Sequence, residues 1–123
     1  MTDLLGKKFK YGGRGPDAYD CYGLAMEVFK RYGKDIPDYG FSDKRESIHL
    51  LIEEFSKQWE KVSIPLFPSI VTFYIHRPYI SHIGVVISRD KFIHILEQSS
   101  VTIERLSQLE WNNKIAGYYT WKN

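Results

Sequence analysis

Two patterns of apolar residues divide this chain of 123 residues near Pro65. Before that point apolar side chains recur at helical intervals, and beyond it they alternate. In DCYGLAMEVFKRYG, the residues Cys21, Leu24, Ala25, Val28, Phe29 and Tyr32 share one helical face. Asp20 is a good N-cap, Gly33 suits the position just past the last turn, and Pro37 follows. The spacing therefore predicts a helix over 21–32 with Cys21 in its first turn. A second helix is expected over 44–58, capped by Ser42 or Asp43, with Asp43 and Glu46 forming a capping box. Ile48, Leu51, Ile52 and Phe55 would be its buried stripe. Residues 1–19, punctuated by Gly12-Gly13-Arg14-Gly15-Pro16-Asp17, read as a loop.

After Pro68 come IVTFYIH, HIGVVIS, KFIHILE, VTIERL and IAGYYTW, short β-branched and aromatic runs separated by polar turns. Helices first and strands afterwards imply an α+β domain. The expected architecture is one domain, 1–123, with the cysteine-bearing helix packed on an antiparallel sheet of about five strands. No repeat, linker or low-complexity segment interrupts it.

Composition narrows the partners. An apolar share of 43% and an aromatic share of 15% support a real core or an aromatic-lined groove. Seventeen basic and 15 acidic side chains are interspersed, and a net charge of +2 makes no field that argues for nucleic acid. No apolar run approaches the length of a signal peptide or a membrane span, so synthesis in the cytoplasm and no membrane partner are expected. One cysteine allows no internal disulfide and no resolving thiol.

That cysteine carries the chemistry. A thiolate attacks carbonyls and a thiol hardly does, so a catalytic site must favour the charged form. Partial positive charge at a helix N-terminus does so, and the free N–H groups there can hold an oxyanion. The competing reading is a buried structural cysteine, a common fate of this residue. Of the four histidines, His49 lies beside the stripe of the second helix and is expected to be solvated, and His76 ends a strand next to Arg77-Pro78 and reads as a loop residue. His82 and His94 lie on consecutive strands. A three-residue loop at 88–90 would place Gly84 opposite His94, with His82 diagonal to it at about 7 Å between Cα atoms, and an even loop would separate them. His82 could then take the thiol proton while His94 orients it. Taken alone, two strand histidines are more often structural.

The strings GGRGPDAYDCYGL and HIGVVISRDKFIH resemble the NlpC family of papain-like cysteine peptidases. In that family an Asp-Cys-x-Gly-Leu segment opens the helix, His-x-Gly starts a strand, and a second polar residue follows about a dozen positions later. Asp20-Cys21-Tyr22-Gly23-Leu24, His82-Ile83-Gly84 and His94 match in order and spacing. The resemblance implies catalytic roles for Cys21, His82 and His94, and hydrolysis of stem peptides in peptidoglycan, typically between D-γ-glutamyl and a diamino acid. It also implies that Asp20 helps receive a substrate amine, besides capping the helix. Phe9 stands where many members carry a tyrosine aimed at the nucleophile, and Tyr11 is the nearby hydroxyl. Tyr22 replaces the usual serine and would narrow or stack the substrate groove. The Gly-Arg-Gly-Pro-Asp run looks most like the branch carried by phage and prophage tails, which makes tail proteins and the virion further expectations.

No cofactor or metal is expected. A zinc site from Cys21, His82 and His94 would lack a closely spaced ligand pair. A thiol acyltransferase or transpeptidase would use the same three residues, differing only in the acyl acceptor. A non-enzymatic tail or scaffold protein that keeps the fold is the remaining alternative.

Overall fold

The computed structural model describes residues 1–122. The stretch read as a loop is partly ordered. It holds a 3₁₀ turn, Thr2–Leu4, with Leu4 buried, and a short parallel pair, β1 (Lys8–Phe9) with β2 (Ala18–Tyr19). Two-residue strands fall below what a periodicity search detects.

Helix α1 (Cys21–Arg31) starts where expected, with the Asp20 carboxylate accepting from the Gly23 N–H at 2.6 Å. This satisfies one of the N–H groups that every helix start leaves without a carbonyl. At the other end Gly33 takes φ +78°, and the Lys34 N–H returns to the Phe29 carbonyl at 3.0 Å. Leu24, Val28 and Phe29 are fully buried, each contributing about 1.5–3 kcal/mol. Gly23 allows the N-terminal loop to lie on this helix, since a Cβ there would overlap the Gly13 carbonyl.

Helix α2 (Arg45–Phe55) is shorter than expected, and the last turn tightens into a 3₁₀ segment, Ser56–Gln58. Its N-cap is Lys44, and no capping box forms: Ser42 Oγ accepts from the Lys44 N–H at 3.2 Å instead.

The sheet has six strands, one more than anticipated. They are β3 (Trp59–Val62), β4 (Ser69–His76), β5 (Tyr79–Val86), β6 (Lys91–His94), β7 (Thr102–Arg105) and β8 (Ile115–Trp121), in the order β3-β8-β4-β5-β6-β7 with every neighbour antiparallel. The extra strand is β3, whose sequence WEKV shows no alternation. Trp59 earns its place by pairing with Trp121, ring centroids 4.9 Å apart. A short helix α3 (Leu109–Asn112) precedes β8.

Each face of the sheet carries a core. Ile70, Ile83, Val85, Ile93 and Ile95 pack under the two long helices. Val71, Phe73, Val86 and Phe92 form the second cluster with Leu106 and with Trp111 from α3. Val85 pairs with Ile93 and Val86 with Phe92, while the Ile87 N–H bonds the Lys91 carbonyl at 2.9 Å. The loop is therefore the three residues 88–90, and the same register carries Gly84 opposite His94. In β4 and β5, Phe73 faces His82 but Tyr74 faces Ile80, which leaves Ser81 as a bulge beside His82.

Candidate active site

Cys21 opens α1 at the wall of a cavity that His82 also lines. The backbone N–H groups of Ile83, Tyr22 and Cys21 favour the thiolate at this position. Burial outweighs them: it pushes the thiol up to about 12, and the Asp20 charge adds to the rise. This corrects the expectation of a sulfur ionised by the helix end. The helix does supply donors, but protein crowded around the sulfur disfavours the anion more.

The two strand histidines meet. His82 Nε2 lies 2.9 Å from His94 Nδ1, both rings buried, on the face of the sheet that holds Phe73, Phe92 and Trp111. Gly84 makes room: a Cβ there would come within 3.0 Å of the Phe92 ring and 3.1 Å of His94 Cβ. His94 Nε2 in turn lies 2.6 Å from Glu104 Oε2 on β7. Burial holds His82 well below the ordinary histidine value, and the neighbouring His94 lowers it further. Burial lowers His94 too, against the pull of Glu104. Burial would raise Glu104, but the hydrogen bond with His94 and the nearby Trp111 and Gln108 side chains bring it below the usual carboxylate range.

These contacts assign the protons. An ionised carboxylate only accepts, so His94 carries its hydrogen on Nε2 and leaves Nδ1 bare. His82 must then donate from Nε2, and its own Nδ1 is free to act as a base. With both nitrogens of His94 engaged, that ring has no site left for a metal. Among the described residues no group of three or more His, Cys, Asp or Glu side chains is arranged to hold one.

The remaining expected residues also reach the cavity, but their polar groups are largely occupied. Asp20 Oδ1 accepts from Gly23 N–H and from Arg14 Nη1 at 2.7 Å, and Oδ2 accepts from Gly12 N–H at 3.1 Å. Tyr22 is buried against Tyr39 and Phe55, and its hydroxyl donates to the Pro37 carbonyl at 2.6 Å. Tyr11 is exposed at the rim and packs edge-on against Phe9, and the nearby Glu97 carboxylate pushes its phenol up to about 12. His49 is not solvated as expected. Its Nδ1 accepts from the Ile80 N–H at 2.8 Å and its Nε2 meets Glu53 at 2.9 Å, so it ties α2 to β5. His76 ends a strand as expected, as the last residue of β4, and is not a loop residue.

The cavity at Cys21 measures about 100 Å³ and its wall is mainly apolar, with Phe9, Phe41, Leu51, Ile52 and Phe55 prominent. Next to it a more polar groove of about 440 Å³ runs past Lys44, Arg45, Glu46 and His76. His82, Ser81, Ile48 and Glu97 border both.

The profile of the NlpC/P60 family matches residues 6–120. The chain belongs to the NlpC/P60 family. It is 25% identical over 114 residues to a probable endopeptidase p60 of Listeria grayi, covering 93% of this chain and 20% of that protein. The corresponding figures for the probable endopeptidase p60 of Listeria monocytogenes serovar 1/2a are 23%, 93% and 21%. The chain thus spans about a fifth of the length of these relatives. An NlpC/P60 family protein of Bacillus cereus shares the fold with a TM-score of 0.72 at 20% identity, over 99% of this chain and 38% of that one. NlpC1 of Trichomonas vaginalis does so with a TM-score of 0.70 at 19% identity, over 98% and 41%. The α+β fold is therefore that of NlpC/P60 structures.

In this NlpC/P60 domain the sequence reading missed Glu104 and Trp111. Glu104 lies two residues beyond Thr102, the partner of His94, so it shares the histidine's face of the sheet. Finding it from sequence needed the β6–β7 register, which an irregular connection over 95–101 conceals. The Trp111 ring stands 4.8 Å from His94, edge to face, and its indole N–H faces Glu104 without reaching full hydrogen-bond geometry.

Proposed function

We propose that this domain is a cysteine endopeptidase or amidase acting on the peptide part of bacterial cell wall. The observation that carries the reading is the unbroken line from the cavity through His82 and His94 to Glu104, with Cys21 at the same cavity. His82 Nδ1 takes the thiol proton as the sulfur attacks the substrate carbonyl. The N–H groups of Cys21 and Tyr22, in the first turn of α1, would stabilise the oxyanion as it develops. Collapse breaks the C–N bond, and His82 passes its proton to the leaving amine. Water then enters by the reverse sequence and releases the acyl group as a carboxylic acid. His94 and Glu104 hold the tautomer throughout.

The bond we assign is that between D-γ-glutamyl and a diamino acid, following the family resemblance. The partner is the peptidoglycan stem peptide, and the Gly-Arg-Gly-Pro-Asp run is the reason to infer delivery on a phage or prophage tail. The test is digestion of purified muropeptides with the wild-type protein and with Cys21→Ala, followed by mass spectrometry. A new amine and a new carboxylate across one stem bond, absent with Cys21→Ala, are expected. Intact muropeptides with both proteins would overturn the proposal, and transfer of the acyl group to an added amine would replace hydrolysis by transpeptidation.

A further inference from the structure

His49 lies outside the chemistry described above, yet it binds the strand that carries His82. Its Nδ1 accepts from the Ile80 N–H at 2.8 Å, and its Nε2 stands 2.9 Å from Glu53 Oε1, one turn further along α2. A nitrogen that accepts a hydrogen bond is bare, so the ring hydrogen sits on Nε2 and points at the Glu53 carboxylate. The acceptor offered to Ile80 is thus fixed from the far side of the ring.

What His49 holds is an irregular piece of strand. Pairing of β4 with β5 is regular from Ser69–Val86 to Phe73–His82, slips at Tyr74–Ile80, and regains its first register at His76–Tyr79. The extra residue Ser81 on β5 is therefore matched by an extra Ile75 on β4. A plain ladder, with Tyr74 opposite Ser81 and Ile75 opposite Ile80, would fit between the same two ends. The two arrangements differ in where Ile80 points. Alternate residues of a plain strand share a face, so Ile80 would lie with His82 and Phe73. With the bulge it packs instead against the core under the helices, as Ile48 of α2 does, while Ile75 stays on the side of Phe73. A bulge re-aims the side chain beside it, and His82 directly follows Ser81. One residue further on is the Ile83 N–H that favours the Cys21 thiolate.

We infer that His49 is a positioning residue for His82: by taking the Ile80 N–H it selects the bulged register, which turns His82 into the cavity of Cys21 and docks α2 on β5. Its importance for turnover rests on the proposed reading of His82 as the base, whereas the choice of register does not. Without the acceptor a part-buried N–H is left unpaired, a bias of roughly 5- to 150-fold against the bulge. Ile48, Leu51, Ile52 and Phe55 of α2 line the same cavity, so one bond holds both a wall of the site and the aim of the group that works in it.

Three substitutions separate the acceptor from the ring. His49→Asn puts an amide oxygen at the place of Nδ1 and keeps the bond. His49→Phe keeps a ring without an acceptor. His49→Gln carries its amide at the place of Nε2, out of reach of Ile80, and serves where His49→Phe does not fold. Imidazole nitrogen spectra of histidine-labelled protein, free of substrate at pH 7.5 and below each melting temperature, read His82 directly. One set of His82 signals is expected in the wild type and in His49→Asn, and a doubled or broadened set in His49→Phe and His49→Gln, for two registers in exchange. On muropeptides those two variants should lose at least about threefold in kcat with KM held within about twofold, and His49→Asn should keep most of its kcat. A residue that only stabilised the fold would lower the melting temperature and leave these readings unmoved. A single unshifted His82 set in His49→Phe and His49→Gln, or equal kcat losses in His49→Asn and His49→Phe, would overturn the inference. Intact muropeptides with the wild-type protein would instead sink the wall-peptidase reading, and the His82 signals would still decide this one.

Discussion

Glu104→Ala removes the far end of the proton-orienting line without touching the cavity. In the native protein its Oε2 lies 2.6 Å from His94 Nε2. A hydrogen bond to a charged acceptor contributes about 1.5–3 kcal/mol. Glu104 keeps a quarter of its side chain exposed, so screening reduces this to about 1–2 kcal/mol. As a bias on the His94 tautomer that is roughly 5- to 30-fold. Without it His94 can carry its hydrogen on Nδ1, facing the Nε2–H of His82 donor to donor. His82 then relieves the clash by moving its own hydrogen to Nδ1, and the base at the cavity is lost. A tautomer bias of that size predicts a loss of roughly 5- to 30-fold in kcat/KM. Glu104→Gln keeps an oxygen that accepts from Nε2–H, so it should lose only a few-fold. The measurements are kcat/KM on muropeptides, active sites counted by titration with iodoacetamide, and a melting curve for each variant. Full activity in Glu104→Ala, or equal losses in the Ala and Gln variants at equal active-site counts, would refute the tautomer argument.

Three further outcomes follow from the same geometry. Burial keeps His82 and His94 below their ordinary pKa, so the unfolded chain binds protons below about pH 6.5 that the folded chain refuses. Stability is then complete above neutral pH and falls on acidification, by at most about 1.4 kcal/mol per pH unit for His82; melting curves at pH 7.5 and 5.5 should show the drop, and His82→Gln should flatten it. With the thiol pushed up to about 12, iodoacetamide alkylation of Cys21 should climb steadily from pH 7 to 10, and a rate plateau below pH 6 would reveal a thiolate at rest and contradict the neutral pair. Gly84→Ala presses a methyl group on Phe92 and His94 and should cost about 1–3 kcal/mol in denaturant unfolding together with a fall in kcat/KM; unchanged stability and rate would show that the histidine spacing has slack.

What the sequence disclosed depended on how local the signal was. Helix α1 could be placed because Asp20 and Gly33 act within one turn of its ends, and β8 because IAGYYTW is a run rich in aromatic residues. The meeting of His82 and His94 was legible because a hairpin loop fixes register by its residue count alone. Glu104 depended on a second, longer connection with no such rule. The capping box at α2 failed because Ser42 found a nearer donor, and β3 went unseen because a strand held by a cross-strand tryptophan needs no alternation of its own. The thiol was misjudged for a different reason: helix-end polarity is visible in sequence, whereas crowding around one sulfur is a property of the assembled core. His49 escaped likewise, since its partner Ile80 lies 31 residues away.

That misjudgement bears on where the site places its stabilising power. Burial raises Cys21 and lowers His82, so both groups rest uncharged and the ground state gains nothing from an ion pair. On the proposed mechanism charge would develop when sulfur attacks: an oxyanion near the N–H groups of Cys21 and Tyr22, and an imidazolium at His82. The imidazolium is the species that the line through His94 to the Glu104 carboxylate can hold, in surroundings where Phe73, Phe92 and Trp111 exclude water. Burial opposes both charges at rest, while fixed donors and a fixed carboxylate meet them as they appear. Interactions that strengthen only on the way to the transition state raise the rate, and those present from the start do not. An aromatic shell around two histidines, costly for an isolated ion, therefore suits a relay that is charged only during turnover.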